Sequence, residues 1–238
     1  MILGSRHANV NGKITKDQFE LASWIDNKVI CGIDEVGRGC LAGPVVTAAV
    51  IMPPYKTSRL LKDSKILTEP ERLKAYTWIK RHCWYGVGIV HHRLIDRINI
   101  RQATLLSMKR ALLHALSSCP KSIESIIIDA MPLNLSDTGY NHIPVHYFPD
   151  AERKSSSVAA ASIVAKVHRD TLLTKLDAII PGYQFANHKG YSTLEHMTSL
   201  QTLGPSIIHR LSFLQTVLNT SPHCPDVTHE KQSQQSLC

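Results

Sequence analysis

Apolar positions along the chain change period several times, and each change marks an element. Val29 to Asp34 is a short, nearly continuous apolar run that ends on a carboxylate. It predicts a buried strand leading into the Gly-rich turn Gly37-Arg38-Gly39. Pro44 to Met52 is rich in Val, Ala, Thr and Ile, and Trp84 to Val90 alternates. Both predict strands. Between them Thr68 to His82 suits a helix, with Thr68 at the cap, Pro70 in the first turn and Glu71 at the capping-box position. Three strands this close predict an antiparallel meander.

Leu105, Met108, Leu112 and Leu116 recur at three- and four-residue steps. They predict an amphipathic helix over Arg101 to Ser118. Ser125 to Asp129 is an Ile-rich strand closing on a carboxylate, and Ile143 to Phe148 is another strand. Ser155 to Ile180 reads as one long helix whose small-residue run, Val158 to Ser162, allows close approach to a sheet. Tyr191 to Leu203 and Ile207 to Leu218 predict further helical pieces, and Lys16 to Asn27 a short one. The order gives an α/β fold: a mixed five-stranded sheet flanked by helices, with a C-terminal helical extension. Residues 28–218 form one domain in this reading, behind an N-terminal segment, 1–27. The tail, 219–238, holds only Cys224, Val227, Leu237 and Cys238 as apolar residues and is expected to be flexible.

The composition, 43% hydrophobic over 238 residues, excludes a mostly disordered chain. The 27 basic and 19 acidic residues leave a net charge of +8. That excess favours a polyanionic partner, nucleic acid or an anionic membrane surface, although a merely basic soluble protein explains it as well. The six cysteines lack zinc-site spacing. No signal-peptide core opens the chain, and the longest uncharged early run, Cys40 to Tyr55, is broken by Gly and Pro. A soluble cytoplasmic protein is the expectation.

Candidate chemistry gathers where strands end. Asp34 and Glu35 follow the first strand, Asp129 ends the Ile-rich one, and Asp150 follows Ile143 to Phe148. Singly, each has an ordinary reading: a solvated acidic turn, a capping carboxylate, or a charge beside Arg153 and Lys154. Together, carboxylates meeting at one sheet edge would repel unless divalent cations neutralised them, and hard oxygen ligands suit Mg²⁺ or Mn²⁺. Two such ions about 4 Å apart are a standard means of cleaving a phosphodiester. Gly37 and Gly39 would let backbone N–H groups approach a phosphate, and Arg38 could add a contact. The acidic cluster and the basic balance point to a metal-dependent nuclease or phosphotransferase on nucleic acid.

The motifs themselves resemble the ribonuclease HII family. Gly32-Ile33-Asp34-Glu35-Val36-Gly37-Arg38-Gly39, followed by Ala42-Gly43-Pro44-Val45, is similar to its opening signature. Asp63-Ser64-Lys65, Ile128-Asp129-Ala130, Ser157 to Asp170, His188 to Thr193 and His209 to Phe213 resemble its later elements, in order. The resemblance implies a ribonuclease H-like fold. It implies an endonuclease that hydrolyses RNA in RNA–DNA hybrids and nicks duplex DNA 5′ of a single embedded ribonucleotide, leaving 3′-hydroxyl and 5′-phosphate ends. It makes Asp34, Glu35, Asp129 and Asp150 the catalytic, metal-binding tetrad for Mn²⁺ or Mg²⁺. Gly37, Arg38, Gly39 and Tyr191 become the group that recognises the ribose 2′-hydroxyl at the junction.

One departure concerns the fourth acid. The family usually carries Lys-Gly before it, whereas Phe148-Pro149 stand here, and Glu152 is the substitute candidate. Asp170 is expected to be structural, paired with Lys166 or Arg169. Lys65, Lys154, Lys166, Lys189 and Arg210 are candidate phosphate contacts. A monomer acting on RNA–DNA hybrids and on ribonucleotide-containing duplex DNA, with no membrane partner, is expected. Two rivals stand beside this reading: the related ribonuclease HIII, which lacks the Gly-Arg-Gly loop, and a non-catalytic hybrid-binding module.

Overall fold

The computed structural model describes residues 15–129 and 131–214. In chain order its elements are α1 (Gln18–Ile25), β1 (Val29–Val36), β2 (Val45–Ile51), α2 (Glu69–His82), β3 (Trp84–Val90), α3 (His92–Ser118), β4 (Ile123–Asp129), β5 (Val145–Phe148), α4 (Ala151–Lys154), α5 (Ser156–Ile179), α6 (Phe185–His188) and α7 (Leu194–Leu203). The strands form one sheet in the order β3-β2-β1-β4-β5. The first three pair antiparallel, as their short spacing predicts, and β1–β4 and β4–β5 pair parallel.

Alternation along the strands sets the layers. Every residue of β2 is buried, because helices cover both faces. Ala48 and Val50 point to one side, with Ala160, Ile163 and Val164 of α5. Ala49 and Ile51 point to the other, with Met108, Ala111 and Leu112 of α3. A Cβ on Gly32 would overlap the backbone of Ser157 and Val158, so α5 lies directly on β1. The small residues of Val158 to Ser162 make that approach possible. The start of α5 is held by α1 and the residue before it: Asp17 accepts from Ser156 N (2.6 Å), and Glu20 accepts from Ser157 N (3.1 Å) and the Ser155 hydroxyl (2.5 Å). The C-terminal extension has its own small core of Tyr183, Phe185, Leu200 and Ile208 against Leu41 and Leu173. Among the described residues no helix is long and apolar enough to cross a membrane.

Several boundaries depart from the sequence pattern. β1 continues past Asp34, since Glu35 and Val36 stay paired with Thr47 and Val46. α3 begins at His92 rather than Arg101 and contains a kink at Asn99, whose φ is 63°. The Asn99 side chain accepts from Gln102 N (3.0 Å) and caps the second half, so only that half shows a long apolar stripe. A helix over Ile207 to Leu218 is not what forms in the described part. His209 pairs with Ala42 as an isolated bridge, and helical structure starts only at Leu211. Residues 207–208 form a turn closed by His209 N to Ser206 O (3.2 Å), and hydrogen bonds from Gly43 N to Ile208 O and from Arg210 N to Leu41 O tie that stretch to the segment after β1. Residues 215–218, the tail 219–238 and the first 14 residues lie outside the described part.

Candidate active site

The sheet register assembles the inner acids. Ile33 pairs with Ile128 across parallel β1 and β4, which brings Asp34 and Asp129 side by side at the strand ends. Asp34 accepts from Glu35 N (2.8 Å) and from the Ser162 hydroxyl, which lies 2.8 Å from Ser64 Oγ. Burial, then the charge of Glu35, pushes Asp34 well above the usual carboxylate range. Burial likewise raises Glu35, against the opposing pull of Arg38, whose Nη1 sits 3.1 Å from Glu35 Oε1. Asp129 is pushed up to about 6, by burial first and the neighbouring Glu152 among the further causes.

The fourth carboxylate beside this group belongs to Glu152. Asp129 Oδ1 accepts from Ala151 N (3.3 Å), which fixes the start of α4 against β4. Glu152 is 5% exposed, and Lys65 Nζ lies 3.2 Å from its Oε1. Asp150 is not brought into the group. It occupies the turn before α4 with φ 57°, is exposed, and among the described residues its carboxylate has no recorded hydrogen bond or ion pair. β5 ends at Phe148, so the two-residue turn carries Asp150 outward and the first turn of α4 carries Glu152 inward. The Oε2 atoms of Glu35 and Glu152 are buried and unpartnered. Among the described residues no three acidic or imidazole groups already stand in metal-holding geometry. Lys65 and Arg38 occupy the outer pair instead.

Asp34, Glu35 and Asp129 line an open cleft of about 450 Å³, together with Gly37, Arg38, Lys65, Lys166 and Tyr191. Gly37 needs its φ of +88°, and a Cβ there would overlap the Arg169 side chain. Arg38 and Gly39 are exposed at the loop tip. Tyr191 is 40% exposed, with Lys166 Nζ and Arg169 Cζ each 5.8 Å from its ring centre.

The remaining basic candidates divide. Lys65 and Lys166 face the cleft. Lys154 folds over the Phe148 ring, and Lys189 Nζ donates to Ala186 O (2.6 Å) and Thr174 Oγ1 (2.8 Å). Arg210 is fully buried and donates to the carbonyls of Gly37, Arg38 and Gly43. A phosphate cannot reach it. Asp170 pairs with Lys166 (3.0 Å) and Arg72 (3.8 Å), while Arg169 turns inward to Pro44, Ala42 and Lys189 carbonyls. Sequence reasoning missed Ser162, Arg169 and Arg210 as supports of the site. Nothing in the sequence sets Arg169 apart, since it sits among Lys166, His168 and Asp170 and reads as a surface charge.

The comparisons agree with the geometry. Residues 31–216 match the ribonuclease HII family. A ribonuclease HII of Listeria innocua is 45% identical over 185 residues, covering 77% of this chain and 67% of the relative. One from Thermus thermophilus is 40% identical over 196 residues, covering 82% of this chain and 91% of the relative. The ribonuclease HII in the solved PCNA complex from Archaeoglobus fulgidus superposes with a TM-score of 0.64 at 26% identity, over 79% of this chain and 95% of that one. With its acids, glycine loop and tyrosine set around one cleft, the chain belongs to the ribonuclease HII family.

Proposed function

We propose that this protein is an endoribonuclease that hydrolyses RNA in RNA–DNA hybrids and nicks duplex DNA on the 5′ side of a single embedded ribonucleotide. The observation that carries this reading is the stacking of two features in one cleft. An overcrowded carboxylate group lies at its floor, and a glycine loop with an exposed tyrosine borders it.

The donor set fits divalent cations. Asp34, Glu35 and Asp129 are all held above their ordinary ionisation range, and two buried carboxylate oxygens have no partner. An all-carboxylate group with excess negative charge suits Mg²⁺ or Mn²⁺. We take Asp34, Glu35, Asp129 and Glu152 as the holders, Glu152 in place of Asp150. When bound, two cations would supply the Lewis acidity for attack on phosphorus and for departure of the 3′ oxygen.

The chain's own groups do the positioning. Backbone N–H groups of the Gly37–Gly39 loop bind the ribose and its phosphate. Tyr191 presents a ring to the sugar, and the 2′-hydroxyl is the handle that distinguishes ribose from deoxyribose. Lys65, whose side chain is 76% exposed, reaches a phosphate of the backbone. The net charge of +8 supports binding along the duplex. Every group named comes from one chain, so a monomer suffices, and a reducing cytoplasm suits the four free cysteines among the described residues. Asp129→Asn tests the reading: cleavage should be abolished while hybrid binding persists. Near-normal turnover by that variant would refute it.

A further inference from the structure

Tyr191 and the Gly37–Gly39 loop are far apart in sequence, yet both must meet one ribose. Leu41 N donates to Gly190 O (2.9 Å) and ties the two segments directly, and a buried histidine pair lies beside that tie. The Tyr191 carbonyl accepts from His196 Nδ1 at 2.8 Å. A carbonyl can only accept, so the neutral His196 ring carries its hydrogen on Nδ1 and leaves Nε2 bare. Ser206 N donates to His209 Nδ1 at 2.8 Å. The neutral His209 ring therefore carries its hydrogen on Nε2. The two Nε2 atoms are 2.9 Å apart, a donor facing an acceptor. The direction is single: Ser206 N–H to His209, His209 to His196, His196 to the Tyr191 carbonyl.

The other arm starts at the next residue. Arg210 donates to Gly37 O (2.6 Å), Arg38 O (2.8 Å) and Gly43 O (2.9 Å). The backbone of His209 is tied to Ala42 by its bridge. His196 is fully buried and His209 is 2% exposed, packed on Phe185. His188 stacks on His196 at 4.3 Å, accepts from Gly190 N (3.1 Å) and faces the Tyr183 carbonyl through Nε2 (2.7 Å). An apolar side chain would fill this space without the desolvation cost of an imidazole. The hydrogen-bond chain is what the imidazoles add.

We propose that His196 and His209 are positioning residues: a directed relay that sets Tyr191 against the Gly37–Gly39 loop and so governs cleavage at a single ribonucleotide. It rests on the reading of Tyr191 and the loop as the ribose-recognising group. A long RNA tract offers many equivalent phosphodiesters and depends less on this grip.

The test compares the full-length wild type with His209→Leu and His209→Gln. The glutamine amide still donates toward His196 Nε2, and the leucine fills space without a donor. Steady-state kinetics with Mn²⁺ use duplex DNA with one ribonucleotide and a hybrid with a long RNA tract. In His209→Leu, kcat at the single ribonucleotide should fall about tenfold, or ~1.4 kcal/mol, with KM within about twofold. Tract cleavage should change less than about threefold, and His209→Gln should recover most of the loss. Equal losses on both substrates, or equal losses in both variants, would overturn the relay. Imidazole ¹⁵N shifts of the wild type supply an independent arm. They should show hydrogen on His196 Nδ1 and His209 Nε2 at neutral pH, and any other assignment overturns the relay whatever the cleavage data. A wild type that ignores the single ribonucleotide while showing those shifts would instead overturn the reading of Tyr191 as ribose contact.

Discussion

Replacing Asp129 by Asn should make the metal-free protein more stable at neutral pH while destroying its activity. Asp129 ionises at about 6 in the folded chain against 3.8 for the ordinary side chain. Between those values the folded state holds a proton that the unfolded state has released. Stability therefore falls as pH rises from about 4 to 6, and the loss persists above 6. A gap of about two pKa units corresponds to roughly 3 kcal/mol at ~1.36 kcal/mol per unit. Asp129 is only partly buried and shares its environment with Glu35 and Glu152, so about 1–2 kcal/mol is the expected gain on neutralising it. Asn keeps the acceptor that Ala151 N uses at 3.3 Å, so the local fold is spared. At about 2–4 °C per kcal/mol, the metal-free melting temperature at pH 7.5 should rise by several degrees. At pH 4 the two proteins should melt together. Mn²⁺ should raise the melting temperature of the wild type and leave the variant nearly unmoved. Melting curves with EDTA and with Mn²⁺ at both pH values supply the check. A variant less stable at pH 7.5, or a difference that survives at pH 4, would show that the Asp129 charge does not cost the folded state stability.

Glu152→Gln should lose cleavage by at least about a hundredfold, while Asp150→Asn should stay within about threefold of wild type in the same nicking assay. Gly37→Ala should cost about 1–3 kcal/mol of stability, since it forces a positive φ and meets Arg169, which three hydrogen bonds, two of them buried, keep from yielding; denaturant melts measure it. His209 is held down to about 4 by burial, so the unfolded state binds the extra proton between pH 4 and 6.5 and stability is lost as pH falls through that window. His209→Gln should flatten the acid limb of the stability profile, and an unchanged limb would count against a buried neutral His209.

Much of the sheet was legible because its strands obey simple patterns. Val29 to Ile33 and Ile126 to Ile128 are apolar runs, and each leads into the carboxylate that the register then sets beside the other. The fourth acid was less legible. Asp150 and Glu152 both follow β5, and only the left-handed turn at Asp150 decides which of them is carried inward. Such a turn leaves no periodicity to detect. The supports of the site were hidden for a related reason. Arg169 and Arg210 look like surface charges in the sequence, yet each spends its guanidinium on three backbone carbonyls from distant segments. Those carbonyls are brought together by tertiary packing alone. The first half of α3 was lost because its kink at Asn99 interrupts the apolar stripe.

A cation-dependent cut at a ribose leaves a defined pair of ends that a single nicking assay reads out. Purified protein is incubated with duplex DNA carrying one ribonucleotide, with Mn²⁺, with Mg²⁺ or with EDTA, and the product ends are mapped. One nick is expected on the 5′ side of the ribonucleotide, with 3′-hydroxyl and 5′-phosphate ends, in divalent cation and none in EDTA. Cleavage that persists in EDTA, or an intact strand in both cations, would contradict it.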